Sequence, residues 1–325
     1  MHFVFLTPFP DPAGGGSRFN AGLLPALREL GHTADLRHDA DDLPPGARPI
    51  VDGLLLPDLE GRLVPHEAVA IIHHMSAKAG QDKSAKDAVR ACEQRMLPGF
   101  ARVIATSKPV AERLHQGYGL DGVALLPPGQ PTLPRSPGSG GPGCHILSAG
   151  VLTQRKGHDR LLQALARLTD LDWTLTIAGD AQRDPVNAQT VAALIDDLQL
   201  RSRVTLLPDV SAEALEAEWE RADLFALASS WEGYPAGAAE ALRRGIPVAA
   251  TTVGELPATV PMTAGILFPP DDPATMSKCL RRAIFDTVLR AMLAEGAWQA
   301  GLAMPGWPQQ ALAFLSILQE TGIEG

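Results

Sequence analysis

The sequence predicts an α/β protein made of two Rossmann-like, doubly wound domains, on three observations: its length, its composition and an alternation of short apolar runs with helical patterns. At 325 residues the chain has room for two domains with real cores, and 45% apolar content makes it globular. Aromatic residues make up only 5% while alanine and leucine abound, a balance that suits helix-rich layers better than a sandwich of aromatic strands.

Taken in order, the runs "HFVFL", "VDGLLLP", "AVAIIHH", "RVIATS" and "GVALLPPG" read as strands, with helical patterns such as "SRFNAGLLPALRELGH" between several of them. Residues 131–143, "PTLPRSPGSGGPG", carry neither helical nor strand periodicity and predict an interdomain linker. After it the rhythm returns in "HILSAG", "WTLTIAGD", "RVTLLPDV", "LFALASS", "IPVAATT" and "GILFPPDD", separated mostly by helices. An amphipathic helix in "PGWPQQALAFLSILQE", after a proline-rich break, can pack on either domain. The expected division is 1–137 for a first domain, 144–304 for a second, and 305–325 for a closing helix and tail that can cross back to the first. Ligands of such sheets gather beyond the carboxyl ends of the strands, so functional residues are expected just after these runs, in a cleft between two facing domains.

A net charge of -9 steers against nucleic acid as a partner. Cys92, Cys144 and Cys279 are odd in number, widely spaced and set in apolar stretches, which reads as small buried side chains in a reducing compartment. The start, "MHFVFLTPFPDP", lacks a basic leader, and no apolar run nears the ~18 residues that spanning a bilayer requires. A soluble, cytoplasmic protein is expected. Lys83, Lys86 and Arg90 lie along one side of a helix and suit at most a peripheral contact with a membrane or an anionic acceptor; Asp82, Asp87 and Glu93 dilute them, and a solvated face is the simpler reading. Asp39 to Asp41, "DAD", sit in an acidic, proline-bounded loop with no strand leading in, and no His or Cys pair has metal-ligand spacing, so no metal site is expected.

In "WEGYPAGAAEALRRGIP" Pro235 suits the first position of a short helix, Gly245 its C-terminal cap and Pro247 the residue beyond. The amides of such a helix entrance favour a diphosphate. Glu232 just before it and Glu240 inside it can then accept hydroxyls on either side of that anion. A loop from Thr153 to Gly157 follows the strand "HILSAG" and carries Lys156.

The segments "TQRKGHDRLLQAL", "LTIAGD", "RVTLLPDVSAEAL", "ADLFALASSWEGYPAGAAEALRRGIPVAATTVGELPATV" and "AGILFPPDDPATM" resemble, in order and spacing, the retaining GT-B-type nucleotide-sugar glycosyltransferases (glycosyl transferases group 1), including their E-x7-E pattern. The resemblance implies that Glu240 binds the ribose of the donor. It implies that Glu232 and the backbone of Gly233, Tyr234, Pro235 and Ala236 hold the transferred sugar, that Lys156 faces the diphosphate, and that the nucleobase lies near Pro208 to Val210. Many members have arginine where this chain has Val151; Arg155, farther along the Thr153 loop, is the candidate substitute. In the first half, "GGGSRFNAGLLPALRELGH" matches the family's glycine-rich loop and first helix, with Gly14, Gly15 and Gly16 allowing close backbone approach to a ligand. As a dinucleotide fingerprint the same stretch fails, because Phe19 replaces the third glycine, which disfavours an oxidoreductase. His73 aligns best with the family's cleft histidine and His74 is the close second.

The expected chemistry is transfer of a sugar from a nucleoside diphosphate to an acceptor that the sequence does not identify, saccharides and lipid-linked groups being among the candidates, with retention and no covalent enzyme intermediate. Cations and amide dipoles would receive the charge of the leaving group, with no cofactor beyond the donor itself. Two other functions fit the same architecture: a nucleotide-sugar epimerase, and a non-catalytic nucleotide-sugar-binding partner protein.

Overall fold

The computed structural model describes residues 1–8, 15–74 and 83–320. They form two compact units, Met1–Pro131 together with the segment beginning at Pro305, and Thr132–Met304. The first contains β1 (His2–Leu6), α1 (Gly15–Glu29), β2 (Thr33–Arg37), β3 (Arg48–Asp52), α2 (Leu56–Leu59), β4 (Val69–Ile72), α3 (Lys83–Met96), β5 (Arg102–Ala105), α4 (Lys108–Tyr118) and β6 (Ala124–Leu125). The second contains β7 (Cys144–Ala149), α5 (His158–Leu165), β8 (Trp173–Gly179), α6 (Pro185–Asp197), β9 (Val204–Pro208), α7 (Ala212–Arg221) and β10 (Leu224–Leu227). It continues through α8 (Ala236–Arg243), β11 (Val248–Thr251), α9 (Leu256–Thr259), β12 (Gly265–Phe268), α10 (Pro273–Phe285) and α11 (Thr287–Ala303), after which α12 (Trp307–Gln319) returns to the first unit.

Each unit holds a parallel six-stranded sheet, ordered β2-β1-β3-β4-β5-β6 in the first and β12-β11-β10-β7-β8-β9 in the second. Successive connections leave in opposite directions at β1/β3 and at β7/β10, and such switch points open a crevice at the strand ends. The interior strands are apolar on both faces, as a sheet covered by helices on each side requires. In β1, Phe3 and Phe5 pack beneath α1 and α12, whereas Val4 and Leu6 join the cluster on the opposite face.

Two stretches depart from the expected elements. "VDGLLLP" supplies only Val51 and Asp52 to β3, because the Asp52 side chain accepts a hydrogen bond from the Leu54 amide at 2.9 Å and turns the chain into a short helical segment. β2, "TADLR", in which only Ala34 is buried, lies at the sheet edge and shows no apolar run. The proline-rich stretch is tied down on the second unit: Ser136 N donates to Arg244 O at 2.8 Å, Gly138 N to Glu220 O at 3.1 Å, and Arg135 pairs with Glu295 at 2.9 Å. Glu93 is buried and accepts a hydrogen bond from Tyr118, so it does not dilute the exposed basic side of α3. Asp41 pairs with Arg62 at 2.6 Å in an exposed loop, and Cys92, Cys144 and Cys279 are free thiols. Among the described residues no helix is long and apolar enough to cross a membrane.

Candidate active site

Because β7 and β10 are neighbours, the loops that leave their carboxyl ends run side by side, and backbone bonds fasten them together. Arg155 O accepts from Ser230 N at 2.8 Å. Gly157 ends a tight helical turn over Gln154–Lys156 at φ +67°, directly under Ala228 O, where any Cβ would overlap that carbonyl. The turn aims two cations at one carboxylate. Lys156 Nζ donates to Glu232 Oε1 at 2.6 Å, and Arg155 Nη1 stands 3.2 Å from Glu232 Oε2. Ser229 donates to Glu232 Oε1 at 2.7 Å, and its own carbonyl is held by Thr251 Oγ1 at 2.7 Å.

The Glu232 side chain is only 4% exposed, a position in which an unpaired carboxylate would lose its charge. Burial does push its pKa up, but Lys156, Arg155 and the Ser229 hydroxyl outweigh it and hold the carboxyl below its ordinary range. Glu232, Lys156 and Arg155 together carry one net positive charge, a suitable balance for an anion. His158 begins α5 beside them, and burial, aided by the Lys156 charge, pushes it down to about 4. It is therefore neutral at physiological pH, and its Nδ1 has no hydrogen-bond partner among the described residues.

Thr153, half-buried, accepts from Lys156 N at 3.0 Å through its carbonyl and so closes the turn. Gly233 and Pro235 are buried, while Tyr234 and Ala236 are half-buried at the start of α8. Pro235 is the N-cap rather than the first helical residue, and Gly245 follows the C-cap, Arg244, at φ +68°. Glu240 lies in the second turn of α8. Its Oε1 is 3.2 Å from Arg244 Nη2, a contact that the E-x7-E spacing does not reveal. Val210, half-buried, joins β9 to α7. The preceding Asp209 holds this corner against the exit of β8 by accepting from Ala181 N at 3.0 Å and Gln182 Nε2 at 2.9 Å.

The remaining expected residues belong to the first unit. Gly15 and Gly16 are the first residues of α1 rather than part of a loop, and residues 9–14, including Gly14, lie outside the described residues. A Cβ at Gly16 would run into the Asp52 carboxylate. His73 follows β4, packs edge-on against Phe19 with ring centroids 5.1 Å apart, and places Nε2 4.0 Å from Asp52 Oδ2; His74 is exposed. Burial pushes Asp52 up and His73 down to about 4, so the same cause disfavours charge on both. Phe5, Leu6, Asn20, Asp52 and His73 line a small pocket at the β1/β3 switch point. The sequence reading had not singled out Ser229, His158, Arg244 or Asp52. The first two sit within three residues of a motif residue; Arg244 pairs with Glu240 four residues before it but takes Glu216 and Trp219 from α7, and Asp52 caps Leu54 while facing His73 from a neighbouring strand end.

Comparison with known proteins matches this description. The family model for glycosyl transferases group 1 covers residues 130–299, more than half of the chain. The D-inositol 3-phosphate glycosyltransferase of Xylanimonas cellulosilytica is 31% identical over 245 residues, 69% of this chain and 58% of that protein. Its counterpart from Pseudarthrobacter chlorophenolicus is 34% identical over 180 residues, 50% of this chain and 42% of that protein. The chain thus spans about half the length of these curated relatives. Among solved structures, sucrose-phosphate synthase from Thermosynechococcus elongatus superposes with a TM-score of 0.82 at 19% identity, covering 98% of both chains. Anabaena Alr3699/HepE, solved in complex with UDP-glucose, gives 0.78 at 16% identity and covers 98% of this chain and 100% of that one. At such identities the likeness speaks for fold alone, and that fold is GT-B. By the extent of its family match and by its two parallel sheets, the chain belongs to the group 1 glycosyl transferases.

Proposed function

We propose that the chain is a retaining glycosyltransferase that moves a sugar from a nucleoside diphosphate to an acceptor in the cytoplasm. The observation that carries this is the buried Glu232 carboxylate flanked by Lys156 and Arg155 at the β7/β10 switch point. Cleavage of a sugar–diphosphate bond puts positive character on the anomeric carbon and negative charge on the leaving group. Lys156, Arg155 and the first amides of α8 receive that negative charge, already oriented before the donor arrives. Glu232 holds both cations and accepts hydroxyls of the transferred sugar, Glu240 accepts ribose hydroxyls, and the base lies by Val210. His73 is proposed to take part in turnover.

The UDP-glucose bound to the Anabaena protein makes UDP-sugars the first donors to assay, and the names of the curated relatives make inositol 3-phosphate the first acceptor, followed by saccharides and lipid-linked sugars. A thermal-shift panel of nucleoside diphosphates and their sugars should give one preferred ligand, since a ligand bound only by the folded state stabilises it by mass action. Proton NMR of the product should show the donor's anomeric configuration kept. Glu232→Gln should lower kcat on the order of 100-fold while changing nucleotide affinity little, the magnitude typical of losing a group that positions transition-state charge. Turnover of donor alone into an isomer would identify an epimerase instead, and tight binding without turnover over a broad acceptor panel would identify a binding protein.

A further inference from the structure

Arg244 is a buried arginine whose fork is filled by two carboxylates. Its guanidinium takes Glu216 bidentately, with Nη1–Oε1 and Nη2–Oε2 both 2.6 Å, and Nη2 also lies 3.2 Å from Glu240 Oε1. The same group stacks over the Trp219 ring, 5.5 Å from its centroid, and the Arg244 side chain is 3% exposed. Burial works against its charge, yet Glu216 and Glu240 more than offset it, so the arginine is held more firmly protonated than usual. A planar guanidinium fixed on three sides is a rigid reference point, in contrast to a glutamate at the surface of a helix. Buried ion pairs are weak contributors to net stability, since desolvation of the charges cancels most of their attraction. What such a pair does supply is a single geometry.

Glu240 needs that geometry. Its side chain is 24% exposed and sits four residues before Arg244, the favourable order for a helical pair. A side chain ordered before binding does not have to be ordered by the ligand, which is the general advantage of preorganisation. Arg244 also ties α8 to α7, and α7 starts directly after Val210 and Ser211, the corner assigned to the base.

Given Glu240 as the ribose acceptor, as proposed above, we propose that Arg244 is a positioning residue: it holds Glu240 in the rotamer that meets the ribose hydroxyls, and thereby sets the preference for ribonucleotides over deoxyribonucleotides. The experiment is calorimetric titration of the full chain with UDP, ADP and GDP and with the 2′-deoxy and 3′-deoxy form of each. The tightest ribo form should bind about tenfold better than its weaker deoxy form, as expected for one hydrogen bond to a charged acceptor. Arg244→Met should cut that ratio to about threefold or less. Glu216→Ala, a change at a half-exposed site, should lower the ratio in the same direction by loosening Arg244. Glu240→Ala should abolish it. If Glu240→Ala abolishes the ratio while Arg244→Met and Glu216→Ala both keep it, Arg244 is only a structural residue and the proposal fails. Should Arg244→Met not fold, an unchanged ratio in Glu216→Ala overturns it alone. A ratio that survives Glu240→Ala instead removes the ribose assignment itself, an outcome distinct from failure of the Arg244 role.

Discussion

At the scale of single residues, the two buried titratable groups beside Lys156 respond to acid in different windows. His158 titrates at about 4 in the folded chain against 6.5 when exposed, so below pH 6.5 the unfolded chain binds a proton that the folded chain refuses. That refusal costs nothing above pH 6.5, where neither state binds the proton, and becomes a penalty on the folded state as pH falls towards 4, on the order of 3 kcal/mol at ~1.4 kcal/mol per pKa unit. Glu232 is the opposite case: its carboxyl is depressed, so its contribution is present above the ordinary carboxylate pKa of 4.5 and disappears only at lower pH. His158→Leu should therefore flatten the loss of stability between pH 6.5 and 4, measured by urea unfolding at several pH values, and leave the lower window to Glu232. Glu232 and Glu240 were legible in the sequence as an E-x7-E pair, and Lys156 as a cation in the loop that follows the strand "HILSAG". Arg244 was not, because two residues of its setting, Glu216 and Trp219, come from another helix and share no pattern with it.

At the scale of elements, the site depends on two loops that glycine allows to touch. Gly157→Ala forces a side chain into left-handed backbone at φ +67° and against Ala228 O, so it should cost more than about 1–2 kcal/mol, seen as a lower Tm of the second unit. Because the same turn aims Lys156, donor turnover should fall further than stability does, and comparing kcat with residual folded fraction checks this. Every strand of the second sheet could be read as an apolar run: the interior ones are buried on both faces, and the edge strand β9 still carries Val204, Leu206 and Leu207. β2 escaped because an edge strand keeps one side polar, and the end of β3 was overrun because "GLLL" is equally apolar in a helix. The cap at Asp52 decides between them only once its side chain has folded back onto Leu54 N.

At the scale of the whole molecule, the division into two units was foreshadowed by the proline- and glycine-rich stretch, but the destination of α12 was not: an amphipathic helix shows which face it buries, not against what. In the fold it completes the first unit. Ala311, Phe314 and Leu318 enter the core of β1 and α1, Phe314 meets Phe3 edge-on with centroids 5.6 Å apart, and Trp307 lies against Gly22 and Gly129, where added Cβ atoms would leave it no room. Phe314→Ala should cost about 3–5 kcal/mol by opening a cavity there. Hydrogen exchange should then show lost protection in β1 and α1 with β7 and β10 unchanged. Synthesis on the ribosome gives this connectivity a temporal meaning. Domains usually fold in the order in which they emerge, yet here the amino-terminal core waits for residues 307–319, which are made after the whole second unit. The first unit to be translated is thus the last to be finished, and until then Phe3, Phe5 and Phe19 stand open on one side, a surface for a chaperone to shield.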